Sequence, residues 1–510
     1  MLVKTELKLL EQRILLFSVF FLSLCGIIYE LVLGSLATYL LGNPVQQYSI
    51  TIGFFLSSMG LGSYLSRFIT KNMLKNFIAI EVVLGFAGGL SVLILSYLFS
   101  FSATYYLLHI LFLVIIGALV GLEIPLIMRI LKKYGALKDI LSNVLSLDYI
   151  GGLAGSLLFP LLLFPFLGRM LTSLIIGAIN IGVALVIIIR IDYENKRKTD
   201  IIIPIIIVLL LASLAALSER INTILQKRLY YDDIVYSKRS RFQEIVLTRN
   251  EDDFRLYLDG SLQFSSVDEY RYHEMLAMPP LALNGRVNKR VLVLGGGDGL
   301  AVREILKCRD ASITLVELDP TMINLGRNNS SLRMLNGDSL NNSRVSVIIG
   351  DAYAYLIHNK KRYDVIIADF PDPHDETISK LYTVEFYTLI RRALAPRGVF
   401  VTQSTSPLFA REAFWCVHNT MKRVFRRVVP YHVYVPSFGD WGFNMAYDYD
   451  YEIAEIGETI PGLRYYSRDT FMQSQHFARD SETAVTEVNT FNKPVLYTYY
   501  LKGWKYYTEM

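Results

Sequence analysis

The chain has 510 residues, too many for one hydrophobic core, so two or more domains are expected. Hydrophobic residues make up 52% of it, the mean hydropathy is +0.35, and the excess is concentrated in residues 1–218. The formal net charge is +5, but the basic residues flank the apolar runs, which argues against nucleic-acid binding, and three cysteines without paired spacing argue against a disulfide framework or a zinc site.

The first part of the chain contains apolar runs long enough to cross a bilayer, which takes about 20 residues. We predict a transmembrane helical domain over residues 1–220, multi-pass in a cell membrane, with candidate spans at 14–41, 48–69, 77–100, 104–128, 141–166, 170–190 and 201–218. Alternate loops carry the basic residues, which places those loops and the N-terminus in the cytoplasm. Six spans would leave the rest of the chain in the cytoplasm, where we expect the catalytic domain. A seventh would place it outside, and both arrangements stay open.

The rest of the chain has the pattern of a globular protein. In residues 221–285, apolar and polar residues alternate between turn signals, which predicts a small antiparallel β-hairpin domain. In residues 286–448, helix-like stretches separate predicted strands at 291–294, 313–318, 345–349, 363–369 and 399–403. This alternation indicates an α/β domain with a doubly wound parallel sheet. We predict that residues 449–510 form a C-terminal accessory tail.

Successive predicted strands end in acidic residues. Asp298, Glu317, Asp351 and Asp369 each follow or close one strand, and Asp372 comes just after the last of them. Ligands of such sheets bind at the carboxyl ends of the strands. We therefore expect these carboxylates to meet at one edge.

The glycine-rich turn after the first strand of the sheet indicates a nucleoside site. The third glycine of a dinucleotide motif is replaced by Leu300, and no triphosphate-binding motif is present. Glu317 is spaced to hold ribose hydroxyls, and Asp351 with the backbone of Ala352 is placed to bind an adenine edge. S-Adenosylmethionine would bring its own carboxylate close to Asp298, whereas a decarboxylated cofactor presents an amine. A rim of carboxylates suits a cationic cofactor and a cationic co-substrate.

Nine motifs occur in an order that resembles the polyamine aminopropyltransferases, the spermidine synthase family. They are QEI (243–245), LDGSLQ (258–263), DEYRYHE (268–274), VLVLGGGDG (291–299), VELD (316–319), GDA (350–352), YDVIIADFPDP (363–373), LYTVEFY (381–387) and Gln403. The whole layout, with PSFGDWGF at 436–443, resembles the membrane-anchored branch of that family. The resemblance implies a methyltransferase-like Rossmann sheet. It also implies aminopropyl transfer from decarboxylated S-adenosylmethionine to putrescine or a related polyamine, giving 5′-methylthioadenosine.

By the same resemblance, each site residue receives a role. Asp369 is the catalytic base, because an ammonium must lose a proton before it can attack carbon. The cofactor-binding residues are Gln243, Asp298, Glu317, Asp351 and Ala352. The substrate-binding residues are His273, Asp298, Asp369, Asp372 and Gln263. Decarboxylated S-adenosylmethionine is a co-substrate, and neither a permanently bound cofactor nor a metal is expected. The expected partners are a small polyamine and the lipid bilayer, with no nucleic acid, and a homo-oligomer stays open.

Two alternatives and one question of specificity stay open. A methyltransferase on the same fold would accept the intact methionine carboxylate, which Asp298 disfavours. A polyamine-sensing or transport membrane protein would be favoured by Glu30, Glu123 and Asp148 in or near the spans. In the 436–443 loop the family usually has a tyrosine where this chain has Phe438. We expect the neighbouring Asp440 to attract the acceptor amine instead.

Overall fold

The computed structural model describes residues 2–41, 44–99, 105–230, 232–450 and 462–508. The chain divides into two compact units, Met1–Tyr231 and Asp232–Met510. The helices of the first unit are α1 (Leu2–Leu41), α2 (Pro44–Leu65), α3 (Met73–Phe99), α4 (Tyr105–Leu131), α5 (Leu137–Leu158), α6 (Phe164–Arg190), α7 (Thr199–Ala216) and α8 (Ser218–Leu229), with a 3-10 helix at Ser66–Phe68 and a π-helical turn at Phe159–Leu163.

Five helical stretches among the described residues are long and apolar enough to cross a membrane. They are Leu9–Leu41, Met73–Phe99, Tyr105–Leu131, Leu137–Arg190 and Thr199–Ala216. The predicted span at 48–69 falls on α2, which is a helix but carries more polar residues and is not among the five. Of the three carboxylates predicted in or near the spans, Glu123 is buried, and Glu30 and Asp148 are partly buried.

The 54-residue stretch Leu137–Arg190 holds two of the predicted spans. Straight, it would be about 80 Å long, far more than the hydrocarbon core of a bilayer. Gly168 interrupts it with φ +70°, ψ −175°. On α1, Leu24 packs against Gly155 of α5, and the neighbouring Cys25 thiol lies 3.9 Å from the carbonyl oxygen of Ile176 on α6. The chain therefore reverses near Gly168, and α5 and α6 each pack against α1.

Small residues allow these helices to approach closely. A Cβ at Gly62 of α2 would lie 1.9 Å from the carbonyl oxygen of Ala118, and a Cβ at Gly121 of α4 would lie 2.1 Å from that of Met59. Helices in lipid associate through such small-residue contacts.

The second unit contains a four-stranded and a seven-stranded sheet. Its strands are β1 (Asp233–Arg239), β2 (Glu244–Asn250), β3 (Asp253–Leu258), β4 (Ser261–Ser265), β5 (Arg290–Gly295), β6 (Ser312–Glu317), β7 (Val345–Ile349), β8 (Tyr363–Asp369), β9 (Leu394–Gln403), β10 (Arg427–Val435) and β11 (Gly439–Tyr447). Its helices are α9 (Glu269–Asn284), α10 (Leu300–Leu306), α11 (Pro320–Asn328), α12 (Ser330–Leu335), α13 (Ala352–His358), α14 (Glu376–Ser379), α15 (Val384–Ala393), α16 (Arg411–Lys422), α17 (Arg468–Gln473) and α18 (Leu496–Thr508), with 3-10 helices at Ser339–Asn341 and Lys380–Tyr382.

Strands β1 to β4 form the predicted antiparallel meander, and the larger sheet has the order β10-β11-β9-β8-β5-β6-β7. Strands β5 to β9 pair in parallel, as predicted. The sheet extends beyond the predicted strands at one edge, where β11 pairs antiparallel with both β9 and β10. The sheet is therefore mixed.

Helices on both faces explain the apolar strands. In β5, Val291 and Val293 enter one core cluster, while Leu292 and Leu294 enter the other. Successive side chains of a strand point to opposite faces, so a strand covered on both sides reads as a continuous apolar run.

The C-terminal segment predicted as an accessory tail is part of the cores of the second unit. Phe471 of α17 is fully buried against Tyr431, and Leu496 of α18 is fully buried in the second core cluster. The fully buried carboxylate of Glu274 accepts hydrogen bonds from the backbone N–H groups of residues 464–466, at 2.8–2.9 Å. These contacts bring α18 next to the site described below.

Candidate active site

The glycine-rich turn after β5 is pressed against its neighbours. Gly295 has φ +82°, and a Cβ there would lie 2.2 Å from the carbonyl oxygen of Asp369. A Cβ at Gly297 would lie 2.8 Å from Cγ of Glu317. Gly295 must be glycine because of its positive φ and because a side chain has no space there. Gly297 must be glycine because a side chain would meet Glu317. The turn thereby holds the ends of β5, β6 and β8 together.

A pocket of about 450 Å³ opens at this edge of the sheet. The structure brings all nine sequence-predicted site residues to its lining: Gln243, Gln263, His273, Asp298, Glu317, Asp351, Ala352, Asp369 and Asp372. The β-hairpin domain contributes the two glutamines, α9 the histidine, and the carboxyl ends of the parallel strands the rest.

The charge of the pocket is strongly one-sided. Among the described residues its lining holds no lysine or arginine, but it holds eight acidic side chains: Asp259, Asp298, Glu317, Asp319, Asp351, Asp369, Asp372 and Asp375. Clefts lined by one sign of charge concentrate ligands of the opposite sign. The pocket therefore favours a cationic ligand.

His273 is the cation closest to the centre of this acidic group. Burial lowers the pKa of His273, but the carboxylate of Glu269, 2.8 Å from Nδ1, raises it by more. The result is a pKa of about 9. Glu269 also forms an ion pair with Arg303, whose Nη2 lies 2.9 Å from Oε1 of Glu269. His273 is therefore an imidazolium at neutral pH, and its charge acts on both Asp298 and Asp369.

Asp298 and Asp369 are partly buried carboxylates, and the charge of Asp369 favours the protonated form of Asp298. Burial, and then the charge of Asp369, raise the pKa of Asp298 to about 6, although the backbone N–H of Leu300 donates to its Oδ1 at 2.8 Å. Burial also raises the pKa of Asp369, whose Oδ1 accepts a hydrogen bond from the Tyr272 hydroxyl at 2.7 Å. Oδ2 of Asp369 faces the glycine turn, 2.9 Å from the Cβ position of Gly296.

Asp372 lies further along the same loop and is held by neutral donors. Its Oδ2 accepts from the Tyr500 hydroxyl at 3.0 Å, and its Oδ1 lies 3.4 Å from Nε2 of Gln403. The amide of Gln403 is fixed by donating to the carbonyl oxygen of Phe370 at 2.8 Å. Burial raises the pKa of Asp372 to about 6.

The opposite end of the pocket is lined by the residues that were predicted to bind the cofactor. Oε1 of Glu317 accepts from the backbone N–H of Asp319 at 2.9 Å, and burial raises the pKa of Glu317 to about 7. Gln243 reaches over from β2 and donates to Asp319 at 3.2 Å. Asp351 caps α13 by accepting from Ala354 N–H at 2.8 Å, and Ala352 begins that helix.

Relatives of this chain match it over almost its whole length. The spermine/spermidine synthase domain family matches residues 269–454. A polyamine aminopropyltransferase of Leptospira interrogans is 42% identical over 496 residues, which cover 97% of this chain and 99% of the relative. The chain belongs to the polyamine aminopropyltransferases. A member of this family from Oceanobacillus iheyensis is 38% identical over 509 residues, with 98% of each chain covered. Crystal structures of spermidine synthase are also similar: the one from Thermotoga maritima is 28% identical, covers 48% of this chain and 85% of its own, and gives a TM-score of 0.45.

The family predicted from the nine motifs is thereby confirmed, and the methyltransferase and transport alternatives are not favoured. Because the aligned regions include both units, the apolar helices belong to the similarity as well as the catalytic unit. Among the residues that the structure describes, no group of His, Cys, Asp and Glu side chains is arranged to hold a metal ion.

Some residues of this aminopropyltransferase pocket were not predicted from the sequence. Tyr272 lies inside a motif quoted for the resemblance, but its bond to Asp369 was not foreseen. Tyr500 lies in the segment that was predicted to be an accessory tail. Trp441 also lines the pocket, next to Phe438 of the loop singled out in the sequence, and their ring centroids lie 5.1 Å apart. The expected role of Asp440 is wrong, because its carboxylate pairs with His432 at 2.6 Å and is not part of the pocket lining.

Proposed function

We propose that this aminopropyltransferase uses decarboxylated S-adenosylmethionine as its donor and putrescine or a related polyamine as its acceptor. The observation that carries the proposal is the pocket lining of eight carboxylates without a lysine or arginine among the described residues. The donor carries a sulfonium and an ammonium, and the acceptor carries at least two ammonium groups near neutral pH. Both substrates complement a pocket of this charge.

The donor lies with its adenosine toward β6 and β7. Glu317 binds the ribose hydroxyls, Asp351 and the backbone of Ala352 bind the adenine edge, and Gln243 closes this end from the β-hairpin domain. Asp298 faces the ammonium of the aminopropyl chain. The carboxylate of intact S-adenosylmethionine would meet the charge of Asp298 there, so the same residue selects the decarboxylated form.

The transfer is a displacement at the carbon next to sulfur. The acceptor amine first gives a proton to the carboxylate of Asp369, and its free electron pair then attacks that carbon. The new N–C bond forms as the C–S bond breaks. The sulfur keeps the bonding electrons, so the charged sulfonium leaves as the neutral thioether of 5′-methylthioadenosine.

The acceptor lies between Asp369 and Asp372, with its second ammonium on Asp372. Gln263 contributes a polar group on the side of the β-hairpin domain. His273 was expected to contact an amine, but an imidazolium and an ammonium repel each other. We therefore assign His273 to balancing the charges of Asp298 and Asp369.

The first unit anchors the enzyme in the cell membrane, and the second unit lies in the cytoplasm. To test on which side of the membrane the second unit lies, a cysteine introduced into it is labelled in intact cells with an impermeant reagent. Asp480 is exposed, so Asp480→Cys in a Cys308→Ser background should stay unlabelled until the cells are opened. Labelling in intact cells would place the catalytic unit outside. Contact with the bilayer and formation of a homo-oligomer stay predictions.

Turnover of the purified full chain in detergent tests the function. Decarboxylated S-adenosylmethionine and a panel of diamines should give one aminopropylated amine for each 5′-methylthioadenosine, measured by mass spectrometry. Methylated amine formed from intact S-adenosylmethionine would instead identify a methyltransferase.

A further inference from the structure

The C-terminal helix α18 is held firmly beside the acceptor end of the pocket. Leu496 at its start is fully buried. A Cβ at Gly503 would lie 2.7 Å from the backbone of residues 409 and 410, so α18 packs closely on the segment before α16. Lys502 pairs with Glu412 at 2.9 Å. These contacts fix the direction in which Tyr500, between them on the helix, reaches into the pocket.

Tyr500 donates its hydroxyl hydrogen to Oδ2 of Asp372 at 3.0 Å. Burial raises the pKa of Tyr500 well above its ordinary value, so the hydroxyl stays protonated and remains a donor. This hydrogen bond occupies Oδ2 of Asp372. The other oxygen, Oδ1, makes a longer contact to Nε2 of Gln403, at 3.4 Å.

Among the residues that the structure describes, the Tyr500 hydroxyl makes the shortest side-chain hydrogen bond to the carboxylate of Asp372. The groups that face it are His374 from its own loop, Tyr382 from the following 3-10 helix, Gln403 and Thr405 from the end of β9, Tyr272 from α9, Asp369 from β8 and Tyr500 from α18. None of these is a lysine or arginine. His374 is the group among them whose positive charge favours the carboxylate of Asp372. An ammonium of a ligand would add a second cation, and the hydroxyl of Tyr500 makes the shorter of the two side-chain hydrogen bonds to this carboxylate.

This bond affects the charge of Asp372. Burial raises the pKa of Asp372 to about 6, and the hydrogen bond from Tyr500 is the largest of the influences that lower it. Without the hydroxyl, the pKa of Asp372 would rise further toward neutrality, and a larger fraction of the carboxyl would be protonated at pH 7.

We propose that Tyr500 is a positioning residue for the acceptor, which keeps Asp372 charged and turned so that this carboxylate binds the second ammonium of the polyamine. This inference rests on the proposed function, in which Asp372 binds the acceptor. Tyr500 lies beyond residues 269–454, the part that matches the spermine/spermidine synthase domain. The C-terminal segment thus adds an acceptor-binding element to that domain.

The test compares Tyr500→Phe with Tyr499→Phe in the full-length enzyme. The hydroxyl of Tyr499 accepts from Glu487 N–H at 3.3 Å, and Tyr499 is not part of the pocket lining, so its replacement is a matched control on the same helix. Because the lost hydrogen bond reaches a charged group, we expect Tyr500→Phe to raise the KM for putrescine about tenfold or more at neutral pH. The KM for decarboxylated S-adenosylmethionine should change less than about twofold, and Tyr499→Phe should behave as wild type.

A pH profile separates positioning from a structural role. The acidic midpoint of kcat/KM for putrescine should move to higher pH in Tyr500→Phe, because Asp372 loses a donor that favours its charged form. In an Asp372→Asn background, Tyr500→Phe should have no further effect on that profile. An unchanged midpoint and putrescine KM would overturn the inference, as would an equal loss for both substrates. Failure of the proposed function itself would appear separately, as a wild-type enzyme that forms no aminopropylated product.

Discussion

Asp369 receives the proton in the proposed reaction, so its replacement affects the chemical step most directly. In Asp369→Asn, the amide oxygen can still accept the Tyr272 hydrogen bond but cannot take up a proton. We expect turnover to fall about 10²-fold or more, the usual range for a lost general base. Donor affinity, measured by calorimetry, should stay within about twofold. Asp252→Asn, at a fully exposed carboxylate in the turn between β2 and β3, serves as the control. Wild-type turnover in Asp369→Asn would remove this residue from the mechanism.

Protonation of the buried carboxylates predicts a loss of activity on mild acidification. Burial raises the pKa values of Asp298 and Asp372 to about 6, whereas an unperturbed aspartate titrates near 3.9. Each must be ionised to attract an ammonium, so binding is present above the raised pKa and is lost as pH falls through it. At saturating donor, kcat/KM for the amine should therefore decline below about pH 6, with a slope of about one or more. A profile that stays flat down to about pH 5 would contradict the raised pKa values.

The nine site residues could be predicted because their positions follow from local rules. Strand ends meet at one edge of a parallel sheet, and the motifs supplied the two glutamines and His273. The positive charge of His273 was also readable, because Glu269 stands one helical turn earlier. The contact of Tyr500 with Asp372 could not be predicted from the sequence, because 128 residues separate the two and the packing of α18 brings them together. Asp440 was assigned wrongly because its partner His432 lies across the β10–β11 hairpin.

The glycine turn after β5 gives a test at the scale of an element. Gly297→Ala would place a methyl group 2.8 Å from Cγ of Glu317 and displace the carboxylate that we propose to bind the ribose. We expect the KM for the donor to rise about tenfold or more, the effect of losing about one hydrogen bond to a charged group, with a smaller change for the amine. The matched control is Gly182→Ala on α6, because an added Cβ there meets no atom within 4 Å and Gly182 is not part of the pocket lining. Equal donor KM values in the two variants would show that Glu317 does not need this turn.

Among the elements, the buried parallel strands were the most predictable. The predicted strands at 345–349 and 363–369 match β7 and β8, because an apolar run between turn signals indicates a buried strand. β10 and β11 were not predicted, since Pro430 in one and glycines in the other interrupt the pattern. β10 tolerates the proline at the edge of the sheet, where a missing N–H costs no ladder hydrogen bond.

At the scale of the whole molecule, the second unit should fold and work without the first. Its three core clusters contain no residue of the first unit, and all nine predicted site residues lie after residue 240. A fragment of residues 232–510 should therefore be soluble and keep kcat within about twofold of the full chain, because no catalytic contact is removed. The same fragment with Asp369→Asn is the control for contaminating activity. A folded fragment without turnover would mean that the first unit takes part in the site.

The division into an apolar and a globular unit was readable from composition alone, but the boundaries of the helices were not. The predicted gap between the spans at 141–166 and 170–190 does match the reversal at Gly168. However, the helix α8 continues to Leu229, past the predicted boundary at residue 220. This boundary was missed because the polar sequence of α8 lacks the apolar pattern of a span.

The most direct test of aminopropyl transfer follows a label through a single turnover. The purified full-length enzyme is mixed in excess with decarboxylated S-adenosylmethionine that carries carbon label only in the aminopropyl chain, and putrescine is added. We predict that all of the label appears in spermidine and none in the released 5′-methylthioadenosine, while intact S-adenosylmethionine gives no product. Label that remains attached to sulfur, or a methyl group found on the amine, would contradict the account.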